Sequence, residues 1–158
     1  MVNKSGRIGR EGENAVAAYL RQTGAFPQAE PRVLYGAHDR GDLTGVGAFA
    51  FQVKSGKAAE NASQAQIRQW FHDAEEQREN AQAAVAVLVV KRAGYGSKRA
   101  GMWRSFVALD TLAAWFSGSM SNLSAFLAAE AVEMEFSMLV DLMQVTGRAG
   151  QPFSNNEE

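Results

Sequence analysis

An α/β fold with one mixed sheet flanked by helices is predicted for this chain by three kinds of segment. Residues 48–54 alternate with a period of two, the mark of a strand whose two faces meet different surroundings. Residues 83–90 are a near-continuous apolar run rich in valine, as expected of a central strand covered on both sides by helices. Two further stretches carry apolar residues at helical spacing: Val16, Ala17 and Leu20, then Ile67, Trp70, Phe71 and Ala74.

Taken in order, the first helix is expected over 10–24, stopped by Gly24 with Pro27 just beyond. Glu13 heads its apolar stripe, so its carboxylate points inward; the helix dipole also favours a glutamate in a first turn, and either reason accounts for it. A strand over 32–35, a loop over 36–41 and a short strand at 43–44 follow, with Asp42 at the entrance of the last. In the strand 48–54, Phe49, Phe51 and Val53 share one face, while Ala50, Gln52 and Lys54 share the other. Gln52 and Lys54 then lie about 7 Å apart, and burying either without a partner costs roughly several kcal/mol. Ser63 caps a helix running to about Gln82, with Gln66 completing a capping box. Residues 103–109 read as a strand, and Asp110 as the cap of a short helix carrying Leu112, Trp115 and Phe116. Beyond Ser119 a helix is expected over 122–131, a half-exposed strand through Val132, Met134 and Phe136, and a helix over 137–145.

With 158 residues, 46% hydrophobic and 21% charged, the chain suits one globular domain, placed at 1–146, with 147–158 a disordered tail. The apolar run at 83–90 is far too short to span a membrane, and no apolar stretch opens the chain, so a cytoplasmic protein is expected. Zero cysteines exclude disulfides, thiolate zinc sites and cysteine nucleophiles, and only His38 and His72 remain as imidazole ligands. Any metal is therefore expected to be hard and oxygen-bound. A net charge of -1 argues against coating nucleic acid by bulk electrostatics. Basic residues nevertheless cluster at Lys4, Arg7 and Arg10 and over 91–104, and acidic ones over 73–79 and 130–141. Segregated basic and acidic faces and a merely solvated surface are both compatible with that pattern.

Four polar residues thus stand at defined places: Glu13 on the first helix, Asp42 at a strand entrance, and Gln52 with Lys54 on one face of the next strand. In that order, the segment 9–20, the Gly41-Asp42-Leu43 step and Phe51-Gln52-Val53-Lys54 resemble the PD-(D/E)xK nuclease superfamily. The resemblance is strongest to its archaeal-type Holliday junction resolvase branch, including phage relatives, and covers about 6–92, leaving 103–146 as a C-terminal extension. It implies a restriction-endonuclease-like fold and a magnesium-dependent DNA endonuclease, manganese substituting, that acts as a homodimer on four-way junctions. Asp42 would be the central metal ligand, Glu13 a direct or water-mediated one, and Gln52 an amide-oxygen ligand beside the backbone carbonyl of Val53. Lys54 would orient the attacking water and steady the charge on the phosphate. The superfamily usually has an acid where this chain has Gln52, which removes one negative charge; glutamine occurs there in Mrr-like restriction enzymes. Lys4, Arg7, Arg10, Arg40, Lys57, Lys98 and Arg99 are the candidate DNA contacts. A duplex- or end-directed nuclease, or an inactive DNA-binding relative, would keep the same pattern.

The other motifs have simpler explanations. Capping suffices for Gln66, and the loop with His38, Asp39 and Arg40 is either a DNA contact or an ordinary surface loop. Gly94 to Lys98 lacks the spacing of a nucleotide-binding loop and suits a basic hairpin. Trp70, Trp103 and Trp115 are assigned to packing.

Overall fold

A computed structural model describes residues 4–33, 40–117 and 130–149. Helix α1 (Lys4–Gln22) is followed by the two-residue strands β1 (Glu30–Pro31) and β2 (Leu43–Thr44), paired antiparallel, and then by β3 (Phe49–Lys54). A short helix α2 (Lys57–Glu60) leads to α3 (Gln64–Asn80) and β4 (Val85–Val90). After a 3-10 turn (Ser97–Met102) come β5 (Arg104–Ala108), α4 (Leu109–Ser117), β6 (Ala131–Glu135) and α5 (Phe136–Val145).

The main sheet has the order β3-β4-β5-β6; β3 and β4 are parallel, and the other two pairings antiparallel. The α3 crossover makes the parallel pair possible, because parallel strands cannot be joined by a tight hairpin. β3 is the outermost strand of this sheet and β4 lies inside it, as its valine-rich composition predicts.

Alternation along the strands sorts the core into two layers. Phe49, Phe51 and Val53 of β3, Val87 and Val89 of β4, and Trp103 and Val107 pack with Val16 and Leu20 of α1 and Phe136, Leu139, Val140 and Met143 of α5. On the opposite face, Ala86, Leu88 and Val90 of β4 and Phe106 of β5 pack with Ile67, Phe71 and Ala74 of α3. Each of these large side chains contributes about 1.5–3 kcal/mol by leaving water. The mixed sheet flanked by helices is thus the architecture. β5 and β6 continue the same sheet as β3 and β4.

Boundaries differ from expectation in particular places. α1 begins at Lys4, six positions before the expected Arg10, because Arg7 and Glu11 support the added turn through an ion pair 3.8 Å long and Ile8 is held by Ser55. Of the strand expected over 32–35, residues 32 and 33 are not in a strand and 34–35 lie outside the described residues; β1 precedes it at Glu30–Pro31, paired with Leu43–Thr44. Asp110 does not cap α4; the helix starts at Leu109 and Asp110 sits inside its first turn. The four-residue α2 had no periodic signal, being too short to show one. Ser63 caps α3 as expected, its Oγ accepting from the Gln66 N–H at 3.1 Å. His38 and Asp39, most of the expected helix over 122–131, and the end of the tail lie outside the described residues. Among the described residues no helix is long and apolar enough to cross a membrane.

Candidate active site

Asp42 reaches β3 because a glycine precedes it. Gly41 has φ of 94°, and a Cβ there would approach the Phe51 carbonyl oxygen to 3.0 Å, so only glycine lets the backbone lie this close. The Asp42 N–H donates to the Phe51 carbonyl at 2.7 Å, and Asp42 Oδ2 accepts from the Val53 N–H at 2.6 Å. Both bonds use the outer edge of β3, the inner edge being paired with β4. In an extended strand the N–H and C=O of one residue leave on the same side, so the Val53 carbonyl also faces this outer edge.

Glu13 arrives from above the sheet. α1 passes the end of β3 at Gly12, where a Cβ would meet Ser55 Cβ and Oγ at 2.6 Å, and Ser55 Oγ donates to the Ile8 carbonyl at 2.8 Å. The next residue, Glu13, is half-buried, and its carboxyl is raised from the ordinary 4.5 to about 7. Burial is the larger cause and the nearby charge of Asp42 the second; Arg10, 3.6 Å away, pulls the other way but does not prevail. Two carboxyl groups are thus close enough to repel one another in a site that disfavours their charge.

Gln52 and Lys54 emerge on the α3 face of β3. Gln52 is 5% exposed, and its Oε1 is buried with no hydrogen-bond partner, a condition that costs about 1–3 kcal/mol. Lys54 is half-buried, with its Nζ 5.6 Å from the centroid of the Trp70 ring. Glu60, six residues on, is engaged by Lys57 at 3.3 Å and Lys91 at 3.4 Å.

Glu13 therefore comes from the α1 face, Gln52 and Lys54 from the α3 face, and Asp42 lies in the plane between them. Only at an edge strand can groups from two faces meet around the backbone, and β3 is such a strand. The structure brings Glu13 near Asp42 and Asp42 onto the Val53 backbone, while Gln52 and Lys54 stand on the other face of the same strand; the candidate ligands, two carboxylates, the Gln52 amide and the Val53 carbonyl, are all oxygens. They fit a hard divalent cation on two counts, the unpartnered buried Gln52 Oε1 and two carboxyl groups close enough for Asp42 to raise the Glu13 pKa.

The basic candidates fall into two groups. Lys4, Arg7 and Arg10 are exposed along the start of α1, where Arg10 Nη1 also donates to the Arg32 carbonyl at 3.1 Å. Lys57 and Arg40 are exposed as well. Lys98 and Arg99 are exposed on the 3-10 turn, with the Arg99 guanidinium 4.6 Å from the Tyr95 ring centroid and Arg92 5.8 Å from it. This loop joins the ends of β4 and β5 at Val90 and Arg104, the same end of the sheet as Lys54.

Two contributors were not singled out in the sequence, Gly12 and Ser55, which set the approach of α1; Trp70, assigned to packing, also lies beside the Lys54 ammonium. Trp103, 1% exposed, and Trp115, edge-on to Phe49, do serve packing. Elsewhere, His72, Asp73 and Glu76 bring ligand atoms within 4.8 Å of one another on α3, where His72 and Glu76 are exposed and Asp73 accepts from Gln69. A cavity of about 880 Å³ opens between α3 and the sheet, lined by Phe71, Phe106 and Ala108 among others; none of Glu13, Asp42, Gln52 and Lys54 lines it. No protein-family model, curated protein or solved structure matches this chain, so fold and site rest on its own geometry.

Proposed function

We propose that this protein is a magnesium-dependent DNA endonuclease of the PD-(D/E)xK type, most suited to four-way junctions and working as a homodimer. The observation that supports the reading is the Glu13 carboxyl raised toward 7 beside Asp42 at the edge of β3, with Gln52 Oε1 of that strand buried without a donor. A cation would relieve the repulsion between the two carboxyl groups and give Gln52 Oε1 a partner. Magnesium, or manganese in its place, would supply Lewis acidity and a more acidic water for attack on the phosphate. Asp42, oriented by the Val53 N–H, and Glu13 would hold the ion, with Gln52 Oε1 and the Val53 carbonyl completing the protein's donors. Lys54 would steady the charge building on the phosphate and orient the attacking water.

Gln52 leaves the site one negative charge short of the usual pattern. At about 4 Å and an effective dielectric near 20, that charge is worth roughly 4 kcal/mol, so the free protein would hold its ion weakly. The DNA phosphates restore the charge when substrate binds. A homodimer would place two such edges on one junction for two symmetric cuts, with Lys98, Arg99 and the basic start of α1 against the backbone.

The test is cleavage by purified protein with magnesium of an end-labelled four-way junction, a linear duplex and a single strand. Paired nicks in the junction alone are expected. Cutting of the duplex at equal rate would reassign the substrate, and no cutting of any substrate with either metal would leave a DNA-binding module.

A further inference from the structure

Among the described residues the partner of the Lys54 ammonium is an aromatic face, the Trp70 ring of α3, 5.6 Å away. Lys54 is half-buried at the end of β3, and the Glu60 carboxylate, six residues on, is taken by Lys57 and Lys91. A carboxylate partner would fix the lysine too, but it would neutralise the charge wanted at a phosphate. A ring face attracts the ammonium through its quadrupole and leaves the N–H donors free. Trp70 is itself half-buried and packs on the cluster containing Ile67, Phe71 and Leu88, so its ring is held by the core. Gln52 shares the same face of β3 as Lys54, two positions before it.

We infer that Trp70 is a positioning residue for Lys54: its ring holds the ammonium at the carboxyl end of β3, where the nuclease reading needs it. The inference rests on that reading for its consequence, though the contact itself is independent of any activity.

Reductive methylation with ¹³C-formaldehyde keeps the lysine charge and gives each of the five lysines a methyl resonance. The Lys54 signal, assigned by its loss in Lys54→Arg, should be shifted upfield by the Trp70 ring current, and Trp70→Leu should return it to the position of an exposed lysine. Cleavage of the best DNA substrate should then lose about tenfold in kcat in Trp70→Leu, with KM little changed, and Trp70→Phe should recover most of the loss. Melting temperatures of both variants check that the fold persists, and a Trp70→Tyr variant replaces Trp70→Phe if the latter is unstable. An unshifted Lys54 methyl in the wild type, or equal kcat in Trp70→Leu and Trp70→Phe, overturns the inference and leaves the nuclease reading standing. A wild type inactive on every DNA substrate overturns both.

Discussion

The Asp42 carboxylate is fastened to the backbone of Val53, its Oδ2 accepting from the Val53 N–H at 2.6 Å. One oxygen of the acid is thereby fixed along the outer edge of β3, the edge that the Val53 carbonyl also faces. A side chain anchored to main chain in this way loses rotamer freedom before any ion or substrate arrives, which lowers the cost of binding.

Asp42→Asn tests this group directly. The amide oxygen can still accept from Val53, so the fold should persist with a melting temperature near that of the wild type. Magnesium-dependent cleavage should fall by at least about hundredfold, because the ligand has lost its charge. DNA binding measured without metal should stay within about threefold of the wild type; a variant that cuts normally would remove Asp42 from the site.

Glu13 makes the protein sensitive to pH in a defined direction. Its carboxyl is raised from 4.5 to about 7, by burial first and by Asp42 second, so the folded state holds the proton more tightly than the unfolded one. The stability this confers is fully present below 4.5 and is lost as pH rises through about 7. Without metal, melting temperature should therefore drop between pH 5 and pH 8 by about 3–6 °C more in the wild type than in Glu13→Gln. A cation competes with that same proton, so magnesium affinity by calorimetry should rise with pH and level off above about 7. Identical profiles for wild type and Glu13→Gln would contradict the assignment.

Gly12→Ala would drive a methyl group to 2.6 Å from Ser55 Cβ, between α1 and the end of β3. The two elements must separate, at a cost of about 1–3 kcal/mol by denaturant titration. Because Glu13 is the adjacent residue, metal affinity should weaken as well. Ser55→Gly in the same chain removes the obstructing carbon and should recover part of both losses; recovery of neither would mean that the close approach does not set the position of Glu13.

Salt reports the backbone contacts. Binding to a junction should weaken steeply between low and physiological salt, with the logarithmic slope falling by about 0.9 for each phosphate contact removed. Lys98→Ala and Arg99→Ala should each reduce it by about that amount, Arg99→Ala possessing the further cost of exposing the Tyr95 face it covers. A slope unchanged in both variants would move the DNA path away from the 3-10 turn.

Much of the framework was legible in the chain because it depends on short-range pattern. The period of two over β3, the valine run of β4, the Ser63 cap of α3 and the apolar stripe of α1 each arise from residues a few positions apart. Where pattern was weak, expectation slipped: β1 is two residues long, and it exists because Leu43–Thr44 lies opposite, not because Glu30 and Pro31 favour a strand.

The types of residue at the site, and their placement on helix, strand entrance and strand face, were determined by the amino-acid order alone. Tertiary structure decided which of them meet: Asp42 on the Val53 N–H eleven positions away, Glu13 beside Asp42, and Lys54 over Trp70. The reason is that side-chain alternation is a local property of the strand, whereas these meetings depend on strand register, on β3 lying at the sheet's edge and on how closely glycines let backbones approach.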